Sequence, residues 1–472
     1  MTIEKINVTK AIENTNAILA SEKNISPALK SMIELLTLII KLLCNRLNLN
    51  SNNSNKPPSQ DPNRPKNKKI KRKGKKKRRP GGQNGHNGST LEKFEKPHEI
   101  VEINIDRRTL PIGNYHQVDF ESRQIVEMNI SLHVTEYRAE ILEDEKGNQF
   151  VAEFPEGLSK AVQYGAGIKA QSVYMSQFQL IPYERVKDYF EDQAGIPIST
   201  GTLVNFNKEA FDRLEDFEKF AKEKLLISDL NHADETGINV NGKRIWLHSL
   251  SNDKWTYFYP HDKRGMDAMD EMGILPKYFG ILIHDHWKPY FGYPCTHALC
   301  NAHQLRELDR AWEQDGQRWA MLMKKLLEEI NEAVKNAGGV LAPEIIKYYQ
   351  KRYRDILTRG EKECPATEKI PGKRGRQKKT KSRNLLDRLK TFEEETLRFM
   401  KEEIVPFTNN QGENDLRMTK VQQKISGCFR SMEGAKTFCR IRSYLITARK
   451  HGMAPAEALN ILFTGKLPFF VT

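Results

Sequence analysis

Apolar side chains recur every three to four residues over 26–47: Leu29, Met32 or Ile33, Leu36, Ile39 or Ile40, and Leu43. This spacing predicts an amphipathic helix, with Ser26 placed to cap it and Pro27 at its first position. The seam runs about two to three heptads and suits a coiled coil with a second copy or packing within its own domain. The periodicity stops beyond residue 50. It returns with period two in Glu99–Asp106 and Gln124–Val134, and Lys146-Gly147-Asn148 is a turn signal, so 96–158 reads as a small β-rich segment. Helical spacing resumes at Gly167–Phe178. A second helix opens at Pro182 with Tyr183, Val186 and Phe190 on one face, Ala194–Pro197 makes a turn, and Ser199 caps a third helix. Residues 159–224 therefore have the pattern of a helix-turn-helix, whose last helix reads DNA, or of a plain three-helix bundle.

From residue 225 the pattern becomes α/β. His232–Val240 and Lys243–Leu250 flank Asn241-Gly242, a strong two-residue hairpin signal. Trp255–Tyr259 forms a third short strand and Met266–Met272 a helix. Phe279–His284 is a continuous apolar run, as a buried central strand requires, and Asp285 stands at its end. Three antiparallel strands, a helix and a buried strand ending in an acid is the order of an RNase H-like core. A mostly helical stretch, about 305–401, would interrupt that core within 225–472.

In this order the acids on the first and fourth strands, Asp234 and Asp285, lie side by side, 51 residues apart. Converging carboxylates repel unless a cation sits between them, and hard oxygen ligands select Mg²⁺ or Mn²⁺. A pair of such ions can activate water or a 3′-hydroxyl against a phosphodiester. A third carboxylate would come from a helix. Glu307, 22 residues after Asp285, and Glu413, 128 after, are both candidates, and spacing does not choose between them. Asn409 is placed to cap a helix carrying Glu413, Arg417 and Lys420 on one face. The run from Cys295 to His303 invites a zinc reading, with His297, Cys300 and His303 at three-residue steps, but Thr296–Leu299 reads as a strand, and packing of Cys300 and His303 near the strands that carry the aspartates is the preferred reading.

The chain has 472 residues and a formal net charge of +15. Between Lys56 and Arg79 there are 13 basic residues and one acid, including Lys71, Arg72, Lys75, Lys76, Lys77, Arg78 and Arg79. Between Lys373 and Arg383 there are seven basic residues, Lys373 and Arg374 among them, and no acid. Subtracting +12 and +7 from +15 leaves −4, so the charge sits in two arms on a slightly acidic chain. Such tracts favour nucleic-acid phosphates, and the first, within the linker 51–95, is expected to be disordered when free. Six cysteines without a C-x-x-C pair exclude a disulfide scaffold. The first residues lack a signal-peptide pattern and the run Met32–Leu43 is too short and charged to span a bilayer, so a cytoplasmic protein without membrane contact is expected.

Several stretches together resemble the transposases of IS66-type bacterial insertion sequences. They include Pro80-Gly81-Gly82-Gln83-Asn84-Gly85-His86, His232-Ala233-Asp234-Glu235-Thr236 and Leu299-Cys300-Asn301-Ala302-His303. Further matches are Arg383-Asn384-Leu385-Leu386-Asp387-Arg388-Leu389, Val405-Pro406-Phe407-Thr408-Asn409-Asn410 with Glu413, and Lys424-Ile425-Ser426-Gly427-Cys428-Phe429-Arg430-Ser431. The resemblance, over about 20–465, implies a DDE transposase that cleaves element ends and joins them to target DNA. It implies the triad Asp234, Asp285 and Glu413, holding Mg²⁺ or Mn²⁺, and thereby favours Glu413 over Glu307. Lys420, Lys424 and Arg430 become candidate phosphate contacts. The expected partners are double-stranded DNA (element ends and target), a second copy of the chain, and two small accessory proteins of the same element. Many relatives carry paired cysteines in a zinc module near 96–158; this chain has none there. Rival expectations are an RNase H-like nuclease that does not join, and a silent, transposase-derived DNA-binding protein.

Overall fold

The computed structural model describes residues 2–3, 6–22, 25–47, 93–117, 119–128, 130–366 and 379–471. Residues 48–92, with the basic tract Lys56–Arg79, and residues 367–378 lie outside these. Near the N-terminus, β1 (Thr2–Ile3) and β2 (Ile6–Asn7) pair, followed by α1 (Val8–Ser21) and α2 (Pro27–Leu47). Pro27 opens α2 as expected, and Ser26 Oγ accepts from Leu29 N–H at 3.2 Å. Leu29, Met32, Leu36, Ile39 and Leu43 are all exposed.

The β-rich reading of 96–158 does not hold. Its strands among the described residues are a short hairpin, β3 (Ile141–Glu143) and β4 (Gln149–Val151), around the expected turn at Gly147. Glu99–Asp106 and Gln124–Val134 contain no described strand residue; Ile103 is 94% and Ile125 88% exposed. Alternation makes a strand only when one face is covered and the edge is paired, and among the described residues neither run pairs with another strand.

The three helices expected in the next region form, and a fourth follows them. α3 (Ala166–Val173) runs into a π-helical turn over Tyr174–Phe178, then come α4 (Tyr183–Ala194), α5 (Thr200–Arg213) and α6 (Glu215–Leu226). Gly195 ends α4 at φ 62, a left-handed position suited to glycine, and Ser199 Oγ accepts from Thr202 N–H to cap α5. The helix α6 carries on to Leu226, where the sequence pattern had placed the opening of the α/β region. Val173, Val186, Leu203, Phe217 and Leu225 join one apolar cluster with Leu250, Tyr257 and Leu282 of the sheet and Tyr444 and Leu459 of the C-terminal helices. That cluster crosses residue 224 without a break.

The main sheet has five strands: β5 (Leu230–Val240), β6 (Lys243–Ser251), β7 (Thr256–His261), β8 (Ile281–His284) and β9 (Thr296–Leu299), in the order β7-β6-β5-β8-β9. The first three pair antiparallel, and β8 and β9 add on in parallel. Asn241 and Gly242 both take positive φ in the β5–β6 turn, which is why Asn-Gly is preferred there. α7 (Met266–Met272) links β7 to β8. Along β8, Leu282 faces the cluster just described, while Ile281 and Ile283 face a second one. The second cluster is built by α8 (Asn301–Asp315), α9 (Arg318–Asn336), α10 (Pro343–Glu363), α11 (Lys381–Thr391) and α12 (Glu393–Leu397). α13 (Asn410–Ser426), α14 (Met432–Lys450) and α15 (Pro455–Phe463) complete the chain, with Leu416, Phe429 and Phe438 packed on Ile238, Ile245 and Phe258.

Candidate functional site

The register of β5 on β8 places the two aspartates. Leu230 pairs with Ile281, Asn231 with Leu282 and His232 with Ile283. The ladder ends there, and Asp234 and Asp285 stand two residues past its last pair, at the same offset. Asp234 Oδ1 accepts from Glu235 N–H at 2.9 Å, and Asp285 Oδ1 from Trp287 N–H at 3.0 Å. Burial holds the Asp234 carboxyl well above the usual carboxylate range, and the charges of Glu235, Asp285 and Glu413 add to it. Burial, then Glu235, pushes Asp285 up to about 6. Two neighbouring carboxyls with raised pKa values are short of positive charge.

Glu413 sits in the first turn of α13. That turn is fixed by Asn409, which differs from the capping role expected of it. Asn409 makes no side-chain cap bond. Its amide nitrogen donates to Ala233 O at 2.9 Å, its Oδ1 meets His232 Nδ1 at 2.7 Å, and its backbone N–H points at Cys300 Sγ at 3.1 Å. The sheet's unmatched polar groups outcompete the helix end for this buried amide. Asn409 thus ties α13 to the two residues preceding Asp234. Gly412 lies against it: a Cβ there would stand 3.1 Å from Asn409 Nδ2.

The other helical carboxylate, Glu307, is paired with Arg388 at 2.9 Å. Arg388 also donates to Gln304 Oε1 at 2.9 Å. Glu235 alternates to the opposite face from Asp234 and its side chain is only 2% exposed; Arg264 Nε donates to it at 2.9 Å and Tyr290 O–H at 2.6 Å. The Arg264 guanidinium lies between the Trp246 and Trp287 rings, 4.7 and 4.3 Å from their centroids. Sequence spacing marked none of these supporting residues, because each acts across elements distant along the chain.

Asp234, Asp285 and Glu413 do not bring one oxygen each within 4.8 Å of one another; among the described residues the grouping that does so is Cys300, His303 and Glu413. The donor set nevertheless fits a hard divalent ion: it is all oxygen, two of its members have raised pKa values, and Glu413 Oε1 is buried with no hydrogen-bond partner. The four-residue zinc reading fails. His297 Nδ1 faces His284 Nε2 at 3.1 Å, and Cys295 belongs to the first apolar cluster.

Lys71, Arg72, Lys75, Lys76, Lys77, Arg78, Arg79, Lys373 and Arg374 lie outside the described residues. At the described end of the second tract, two of the three basic side chains meet acids of the chain itself: Lys379 pairs with Asp387 at 2.7 Å, and the buried Arg383 pairs with Glu361 at 2.5 Å and with Asp387, while Lys381 is exposed. Lys420 gives its ammonium to Gly237 O of β5. Lys424, in the last turn of α13, and Arg430 are exposed. No described helix is long and apolar enough to cross a membrane.

Residues 161–437 match the family model described as Transposase IS66 family, and residues 4–92 match a family of unknown function. No curated protein matches the chain. The first match spans more than half of the chain, from α3 into α14, and includes every acid of the site. The chain belongs to the IS66 family of transposases.

Proposed function

We propose that the chain is a DNA transposase that cleaves phosphodiesters at the ends of an insertion sequence and joins the freed 3′-hydroxyls to target DNA, using an RNase H-like core. The observation that carries this reading is the β5–β8 register, whose offset aligns Asp234 with Asp285 two residues past the last pair, with α13 and Glu413 tied by Asn409 to the same strand. In this reading Asp234, Asp285 and Glu413 hold Mg²⁺ or Mn²⁺, which supplies charge stabilisation to the attacking and leaving oxygens. The chain's own work is positional. β5 and β8 orient the two aspartates, Asn409 sets the helix, and the Glu235–Arg264–Tyr290 network braces β5 from its other face. Hydrolysis forms a bond from water oxygen to phosphorus and breaks the P–O3′ bond, leaving a 3′-hydroxyl. Strand transfer then forms a bond from that hydroxyl oxygen to a target phosphorus and breaks a target P–O bond. The polybasic linker would hold DNA backbone, with Lys424 and Arg430 nearer the site. Lys420 is the weakest of these contacts, since its ammonium is engaged on the sheet.

Glu413→Gln keeps the shape of the side chain and removes its charge. It is expected to abolish metal-dependent cleavage while duplex binding stays within about twofold. Strand transfer surviving in that variant would exclude Glu413 from the triad. Supplying a pre-cleaved end separates this reading from a nuclease: joining supports the transposase, and its absence alongside active cleavage supports a nuclease.

A further inference from the structure

Next to the acids lies a second group of ligands with a different chemical taste. Cys300 is the residue preceding α8 and His303 is in its first turn, so the two lie one turn apart on one face. Glu413 reaches the same point from α13. One ligand atom from each of the three lies within 4.8 Å of the others, and His303 Nδ1 is 3.8 Å from Glu413 Oε1. Tetrahedral zinc with bonds of the usual length holds its ligands roughly 3.3–3.8 Å apart, so small side-chain movements suffice. Both His303 Nδ1 and Glu413 Oε1 are buried without a hydrogen-bond partner, which is costly for polar atoms in a protein interior. Cys300 Sγ accepts the Asn409 N–H, a contact that a thiolate keeps and strengthens.

We infer that Cys300, His303 and Glu413 form a binding site for a soft divalent ion, of which Zn²⁺ is the representative, which shares Glu413 with the hard-ion site but not its aspartates. Sulfur and imidazole ligands favour such an ion, and three protein ligands leave its fourth position open. Binding releases the Cys300 thiol proton to solvent as the sulfur–metal bond forms. The Arg306 guanidinium, 3.9 Å from Glu413 Oε1, is the charge the incoming ion displaces. Resting on the triad proposed above, one consequence follows: an ion at this site takes a Glu413 oxygen and switches off DNA cleavage.

Cobalt(II) reports such a site directly, through a thiolate-to-metal charge-transfer band and intense visible bands of a tetrahedral ion. The full-length protein, stripped with chelator and titrated with Co²⁺, is expected to bind one equivalent with both signals, and Zn²⁺ should bleach them. Cys300→Ser should lose the charge-transfer band, and His303→Gln should weaken binding at least tenfold. Asp234→Asn and Cys428→Ser should leave both signals intact. A charge-transfer band that survives Cys300→Ser, or one lost in Asp234→Asn with circular dichroism unchanged, overturns the site. If a variant unfolds, zinc protection of Cys300 against thiol alkylation in the wild-type chain decides instead: equal labelling with and without Zn²⁺ counts against it. The cleavage arm compares the fold-inhibition by micromolar Zn²⁺ at fixed Mg²⁺ in wild type and Cys300→Ser. Relief in the variant supports the switch, and equal inhibition overturns it. A wild type that binds Co²⁺ but never cleaves DNA overturns the transposase reading and leaves the soft site standing.

Discussion

At the scale of single residues, the site depends on one amide. Asn409 satisfies His232 and Ala233 at once, so Asn409→Ala strands a buried ring nitrogen and a carbonyl. A loss of about 1–3 kcal/mol in denaturant unfolding is expected. Gly412→Ala should cost stability as well, because its Cβ meets the Asn409 side chain. Once Asn409 is shortened that conflict is gone, so the double variant should fall short of the summed losses by at least about 0.5 kcal/mol. Strict additivity in the double-mutant cycle would separate the two positions. Buried histidines set a second expectation. Burial pushes His248 down to about 4, so the folded chain binds fewer protons than the unfolded one between that value and its ordinary 6.5. Its contribution is therefore complete above pH 6.5 and is lost as pH falls to 4. His286, also pushed down to about 4, acts in the same sense. The share of stability held by these histidines should be lost between pH 6.5 and 4, against an opposite contribution from Asp285, whose raised pKa favours the folded state as pH falls through about 6; His248→Gln should reduce the loss measurably in urea titrations at several pH values.

At the scale of elements, α13 is held from both sides. Asn409 and Lys420 tie it to β5, while Asp415 on its other flank meets Lys450 of α14 at 2.9 Å. Lys450 also donates to Asn252 O and Thr256 Oγ1. The side chains of Lys450 and Asp415 are 11% and 9% exposed, so Lys450→Met leaves a nearly buried carboxylate without its charge partner, held only by the neutral donors Thr256 and Gln411. That truncation should cost about 3–5 kcal/mol. Asp415→Asn together with Lys450→Met should recover most of it, and equal losses in the single and double variants would remove the pair from the account. The helices α8 to α12 were legible as a helical stretch, since their amphipathic spacing is local. What Arg383 does was not legible. A run of basic residues looks the same whether it meets DNA or, as here, Glu361 of α10 and Asp387 of its own helix. The strands expected at Glu99–Asp106 and Gln124–Val134 failed for a related reason: a strand's stability lies in its neighbour.

At the scale of the whole molecule, charge and association set the expectations. The linker at 51–95 carries most of the excess positive charge, so its deletion should reduce the slope of log binding constant against log salt by several units. Removal of residues 373–378, with four basic side chains, should reduce it less. Equal slopes with and without the linker would place the DNA contacts elsewhere. The apolar seam of α2 is exposed along its length, as a coiled-coil partner requires. A chain lacking residues 1–47 is expected to shift to a smaller oligomer in sedimentation, and an unchanged mass would take that helix out of the association.

The sequence by itself determined the hairpin at Asn241-Gly242, the buried strand ending at Asp285, the caps at Ser26 and Ser199, and the family, because turn chemistry, periodicity and motifs are local properties of the chain. Only the tertiary structure decided that Glu307 is paired with Arg388, that Asn409 clamps the sheet rather than capping its helix, and that Cys300 and His303 meet Glu413. Those outcomes depend on which groups arrive at one point from elements up to 177 residues apart, and on which of them is left without a partner once the core has closed.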